Sequence, residues 1–189
     1  YKRLKRALLS GRIEPGTTLT LRQLAAQLGT SMMPVRESIT RLSAENALKV
    51  LPNRGIIVPH LESADAEDIW RLRIQLEGDA CSRAARSASA GQIENIGSLC
   101  NAVRVAAEAR DLHRVLECNS DFQFAVYQAA ASPMLLQLIE VLRMKSVPHC
   151  TAAIRVLITE RPTYYKRSWE HHDRLVKAIA DGDAPRARR

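Results

Sequence analysis

Twenty-two residues, Leu21 to Leu42, restrict this chain more than any others: LRQLAAQLGTSMMPVRESITRL. Leu21, Leu24, Ala25 and Leu28 recur at spacings of three, four and seven, which places them on one face of a helix. Gly29 suits the left-handed residue that closes such a helix. Ser31 is a good N-cap for a second helix, and Pro34 falls in its first turn, where a missing N–H does no harm. Val35, Ile39 and Leu42 then face inward. The stretch predicts two short helices joined by a tight turn, a helix-turn-helix over about 21–42.

The flanks extend the motif. Leu4, Leu8 and Leu9 lie among basic residues in an amphipathic helix over 1–10, which Gly11 and Glu14-Pro15-Gly16 stop. Thr17 to Leu21 is β-branched and apolar enough for a short strand. Leu48-Lys49-Val50-Leu51 and Ile56-Ile57-Val58 bracket Pro52-Asn53-Arg54-Gly55, a β-hairpin forming a wing over about 50–58. Paired helices followed by a basic-tipped hairpin point to a winged reader of double-stranded DNA. The N-terminal end of the second helix is the part that enters a major groove. There Arg36, with Thr40 on its face, can donate twice to guanine O6 and N7, and Ser31 can reach a phosphate. Arg54 at the hairpin tip is placed along or in the minor groove, and Gly55 would let backbone approach a phosphate. The alternative for Arg36 is a salt bridge to Glu37 or Glu45.

Charge follows the same division. Residues 1–60 hold ten Lys or Arg against Glu14, Glu37 and Glu45, while the remaining residues hold 18 basic and 17 acidic groups within a chain total of +8. Nearly all the excess lies where phosphates would be met. Scarce aromatics and abundant Ala, Leu and Arg favour helix over sheet. Cys81, Cys100, Cys118 and Cys150 have neither CxxC nor zinc-finger spacing and read as buried, reduced thiols. No apolar run approaches the roughly 18 residues of a membrane span, and no signal peptide is visible, so no membrane partner and a cytoplasmic location are expected. The start without Met and the final Ala-Arg-Arg suggest incomplete ends.

Residues 61–189 show only helical periodicity. Ser63 is expected to cap a helix with an acidic first turn, on which Ile69, Leu72, Arg73, Leu76 and Ala80 share a broad face. Further helices are predicted at about 90–109, 111–131, 133–158 and 162–181, with breaks at Gly91, Ser132-Pro133, Arg161-Pro162 and Gly182. The fold class is therefore mainly α: a winged helix-turn-helix domain over 1–60 and an antiparallel all-α bundle of six or so helices over 61–189. Several polar residues fall on inward faces. Arg73 and Glu77 are four apart, as are Asn119 and Gln123 beside Phe122 and Val126. His172 lies at the edge of the Leu175, Val176 and Ile179 stripe, and His171 is turned outward. Buried polar groups must be paired, hydrated or liganded. Each has a simple structural role available: a salt bridge for Arg73, a satisfied core amide for Asn119, a core or surface imidazole for His172.

Within residues 1–60, PGTTL, LRQLAAQLGTS, PVRESITRL and NRGIIV, in that order and spacing, resemble the N-terminal domain of GntR-family bacterial transcription regulators. The resemblance implies DNA contacts at Arg22, Ser31, Arg36, Arg54 and Gly55. Many members carry Arg directly after the capping Ser; this chain has Met32 and Met33, which can touch a thymine methyl but cannot bind guanine twice. LRIQLEGDA, NSDFQFAVYQAAASPML and EHHDRLVKAIADGDAPRA resemble the ligand-sensing FCD domain of the FadR-type subgroup. That likeness implies a divalent-metal site of the zinc or nickel type in which an acid or Asn is followed four residues later by His. The pattern falls on Asn119 and Gln123, so glutamine replaces the histidine, while a later family histidine matches His172. Asn and Gln are poor ligands for such metals. The expected pocket is therefore metal-free or weakly metal-binding, with Asn119 and His172 the remaining metal candidates. In it Arg73, Asn119, Gln123 and His172 would hold a small-molecule effector, a carboxylate suiting the planar donor pair of Arg73.

These readings imply a homodimeric, effector-controlled transcription factor, such as a repressor, on a palindromic operator, and not an enzyme. The competing classes are a metal-dependent hydrolase on the helical bundle and a DNA-binding adaptor without effector. Against the hydrolase, His171-His172 is not HExxH, and neither a Ser/His/Asp order nor a Gly-rich phosphate loop is present.

Overall fold

The structure, a computed structural model, describes residues 1–53, 55–160 and 164–189. Its head comprises α1 (Lys2–Leu9), α2 (Leu21–Leu28), α3 (Met32–Ala44), β1 (Lys49–Val50) and β2 (Ile56–Ile57). Local chemistry sets these bounds. Thr20 and Gln23 form a reciprocal capping box at the start of α2, and Gly29, at φ 62°, closes it in the left-handed region. Ser31 occupies the N-cap of α3, but its side chain makes no capping hydrogen bond. β1 and β2 pair antiparallel with Val50 opposite Ile56. The strand expected over 17–21 is reduced to one bridge, in which Leu19 and Ile56 exchange N–H···O bonds of 2.8 Å. Leu4, Leu8, Leu24, Val35, Ile39, Leu42, Ile56 and Val58 make the head's core.

The bundle comprises α4 (Ser63–Ser87), α5 (Ala90–Glu108), α6 (Leu112–Ala129), α7 (Pro133–Glu160), α8 (Tyr164–Ala180) and α9 (Ala184–Arg188). Two expectations change. Glu62 rather than Ser63 holds the cap position of α4, without a side-chain bond. Gly91 lies inside α5 because Ser89 and Gln92 form a capping box just before it, and that box fixes the helix start more firmly than one glycine weakens it. Phe122, Val126, Ile96, Ile139, Ala178 and Ile179 centre the bundle core. All four cysteines are free, Cys100 and Cys118 buried as expected but Cys81 and Cys150 only partly so.

The head sits on the bundle through α1. Met144, Val141 and Phe124 of α6 and α7 complete the head's core. Gly11, at φ 66°, abuts Thr151 so closely that an added Cβ would lie 2.1 Å from its Oγ1, so both conformation and packing require glycine here. Lys5 pairs with Glu140 at 2.5 Å, Arg6 with Asp121 at 2.7 Å, and Arg12 with Glu117. Three of the head's ten cations therefore face bundle carboxylates rather than a free surface.

Candidate nucleic-acid interface and effector site

On α3 the core residues Val35, Ile39 and Leu42 turn the opposite face outward. Ser31, Met32, Met33, Arg36, Glu37 and Thr40 are all exposed. Glu45, one alternative partner for Arg36, instead accepts from Tyr1 Oη at 2.8 Å and pairs with Arg41 at 3.4 Å. The Arg41 guanidinium lies 3.9 Å from the Tyr1 ring centroid. Thus Arg41 is used in packing. Among the described residues no ion pair involves Arg36, and Arg22 is likewise exposed near the start of α2. Arg54 lies outside the described residues. Gly55 is buried: its N–H donates to Asn53 Oδ1 at 3.2 Å, its carbonyl accepts from Leu51 N at 2.8 Å, and an added Cβ would meet Thr18 Cγ2 at 2.8 Å. Packing against Thr18 by itself accounts for glycine at 55.

In the bundle a buried ionic cluster joins α4, α6 and α7. Arg73 Nε donates to Glu77 Oε1 at 2.7 Å, so the i, i+4 pair forms, and Arg73 Nη1 donates to Ser146 Oγ at 3.1 Å. Tyr127 Oη donates to Glu77 Oε2 at 2.7 Å. Arg143 reaches Glu77 Oε2 at 3.3 Å and Tyr127 Oη at 3.2 Å, and donates to Gln123 Oε1. Burial pushes the Glu77 carboxyl up, but Arg143 and Arg73 outweigh it and hold the group below the usual carboxylate range. Arg73 is 8% and Arg143 3% exposed, so neither is screened by water. Two buried guanidinium groups thus share one carboxylate, an excess of one positive charge. Arg143 Nε and Asn119 Oδ1 are buried without hydrogen-bond partners among the described residues.

Arg143 and Tyr127 were absent from the sequence-based site. A signal existed: Arg143 interrupts the apolar run MLLQLIEVLRM and shares a face with Ile139 and Ser146, four before and three after it. His172 lies as expected, its ring centroid 4.7 Å from that of Phe122 and its Nδ1 buried without a hydrogen-bond partner among the described residues, while His171 is exposed. Burial lowers His172 to about 4, so the imidazole is neutral at pH 7.

The four expected effector residues do not share one cavity. Arg73, Asn119 and Gln123 line a space of about 150 Å³, which Ser10 and Thr151 also line at the seam with the head. His172 lines a larger cleft of about 710 Å³ with Glu77, Phe122 and Tyr127. Gln123 borders both and accepts from Arg143, which lines the smaller one. The donor set does not fit a zinc- or nickel-type ion. Gln123 Oε1 is taken by a guanidinium whose positive charge would repel a metal, and among the described residues no three His, Cys, Asp or Glu side chains converge. The same charge suits an anion.

Residues 1–58 match the family described as bacterial regulatory proteins, gntR family, and residues 68–189 match the FCD domain. The chain belongs to the GntR family. The HTH-type transcriptional regulator McbR of Escherichia coli K12 is 32% identical over 145 residues, covering 77% of this chain and 66% of McbR. An uncharacterized HTH-type regulator of Agrobacterium vitis is 38% identical over 85 residues, 45% of this chain and 50% of that protein. The gluconate operon transcriptional repressor of Bacillus licheniformis is 22% identical over 180 residues, 95% of this chain and 74% of the repressor. The matches to McbR and the Agrobacterium regulator thus span less than two thirds of either protein. The solved structure of E. coli McbR/YncC superposes with a TM-score of 0.88 at 28% identity, covering 99% of this chain and 87% of that one. These relatives are transcriptional regulators, not enzymes, and the fold is the expected mainly α combination of a helix-turn-helix and a helical FCD domain. No helix among the described residues is long and apolar enough to cross a membrane.

Proposed function

We propose that this chain is a sequence-specific transcriptional regulator that grips duplex DNA with α3 and the wing and is controlled by a small organic anion in its bundle. The observation that carries the DNA half is the outward face of α3, which holds Arg36 and Ser31 exposed while the opposite face builds the core. Arg36 is assigned to a guanine edge, Ser31 and Arg22 to phosphates, Arg54 to the minor groove, and Gly55 to close backbone approach. The functional division falls at about residue 60. A two-fold homodimer would read a palindromic operator, in the cytoplasm.

For the effector half, two guanidinium groups facing one carboxylate favour a carboxylate ligand in the smaller space, held by Arg73 and Arg143 with Asn119 and Gln123 as hydrogen-bonding partners, while His172 is assigned to a ligand part that reaches the adjoining cleft. A ligand in the smaller space would touch Ser10 and Leu9 of the head as well as the bundle. It would act only by binding one head–bundle arrangement better than another. The test is anisotropy of a labelled operator titrated with full-length protein, chelator present throughout, against a series of two- to six-carbon carboxylates. At least one should shift operator affinity by about fivefold or more, and Arg143→Met should abolish that shift while leaving ligand-free DNA binding near the parent value. An operator affinity indifferent to every member of the series would remove the effector assignment.

A further inference from the structure

We infer that Met32 and Met33 are specificity-determining residues that read the C5-methyl groups of thymine in the major groove. The inference rests on the proposed docking of α3. Met32 is 52% and Met33 64% exposed, and neither belongs to the hydrophobic core of the head. They are the first two residues of α3, the end that enters a groove. Each stands one helical turn before a polar residue of the outward face: Met33 precedes Arg36 by three positions and Glu37 by four, and Met32 precedes Arg36 by four. Side chains that contact base edges beside Arg36 would therefore include both.

Two adjacent, long apolar side chains on a basic surface gain nothing from water and cannot bind phosphate. The major groove offers them one apolar group, the thymine methyl. An unbranched, polarisable side chain with three rotatable bonds can settle against a methyl whose position varies among base steps. Successive helical residues differ by about 100° in direction, so the two thioethers would address different base pairs. The chemistry predicts thymine, rather than guanine, at the positions facing Met32 and Met33, next to the base bound by Arg36.

The experiment starts with full-length protein and duplexes it selects from a randomised pool. Each selected duplex is resynthesised with deoxyuridine for individual thymidines, which removes the methyl and leaves base pairing intact. At one or two positions per half-site the substitution should weaken binding about three- to tenfold, the scale of withdrawing one methyl from apolar contact. In Met32→Ala and Met33→Ala proteins, whose α3 alanine supports well, that penalty should shrink to nearly nothing at the matching position; an unchanged melting temperature verifies the fold. Equal affinity for thymidine and deoxyuridine duplexes, or an undiminished penalty in the alanine variants, would overturn the inference while leaving sequence-selective DNA binding intact. Failure to select any sequence would overturn the inference together with the function beneath it.

Discussion

The head and the bundle both depend on arginine, in opposite ways. In the head, Arg22 and Arg36 stand in water, free to change partners. In the bundle, Arg73 and Arg143 are withdrawn from water and fixed by Glu77, Gln123, Ser146 and Tyr127. Exposed cations contribute little to folding and much to meeting an external polyanion. Buried cations do the reverse: they hold helices together and retain a charge that can be neutralised only by a ligand small enough to enter. Under the proposed function, one formal charge on one residue type would serve long-range recognition at one end and enclosed recognition at the other.

The largest effect of that difference should come from Glu77. Glu77→Gln removes the only carboxylate paired with either buried guanidinium among the described residues, and should cost about 3–5 kcal/mol in chemical denaturation. A loss below about 1 kcal/mol would mean the cluster is hydrated rather than sealed. Arg36→Ala should do the opposite, leaving the melting temperature unchanged while weakening operator binding by about 1–3 kcal/mol and relaxing preference at one base pair. A thermal shift without loss of DNA affinity would reverse its assignment.

Burial of His172 gives a pH prediction. The unfolded imidazole titrates near 6.5, whereas burial lowers the folded group to about 4. Between these values the unfolded chain binds the extra proton, so stability falls as pH drops through that window and is unaffected by this group above it. The loss should be about 1–3 kcal/mol and smaller in His172→Phe, as measured by denaturation at pH 7 and pH 5. Identical pH slopes in both proteins would contradict a buried neutral imidazole. The smallest effect belongs to the seam: Asp121→Asn opposite the exposed Arg6 should change stability by less than about 1 kcal/mol, and less still at high salt.

Local signals made the elements legible. Gly29, the leucine spacing of α2 and the inward triad of α3 each act within a few residues, and the structure follows them. Helix α7 was also readable: its apolar periodicity runs through Pro148, which remains buried inside the helix. What could not be read depends on distant residues. The head–bundle ion pairs join positions more than 100 apart in sequence, so the +7 excess of the first sixty residues overstated the charge free to meet DNA. A packing reason for glycine at 55 was likewise hidden, because Thr18, which an added Cβ would meet, lies far away in sequence. Arg73, Asn119, Gln123 and His172 were each seen as unusual. Only the fold shows that they line two cavities, and that Arg143, in the smaller one, is joined to Gln123, which borders both.

The deciding measurement is the affinity of full-length protein for its selected duplex and for a scrambled duplex, followed across salt concentration. Binding through exposed head cations predicts a linear fall of log affinity with log salt on both duplexes, with the selected one retained at least about 10³-fold more tightly. Salt-independent binding, or equal affinity for the two duplexes, would show that the outward face of α3 does not read DNA.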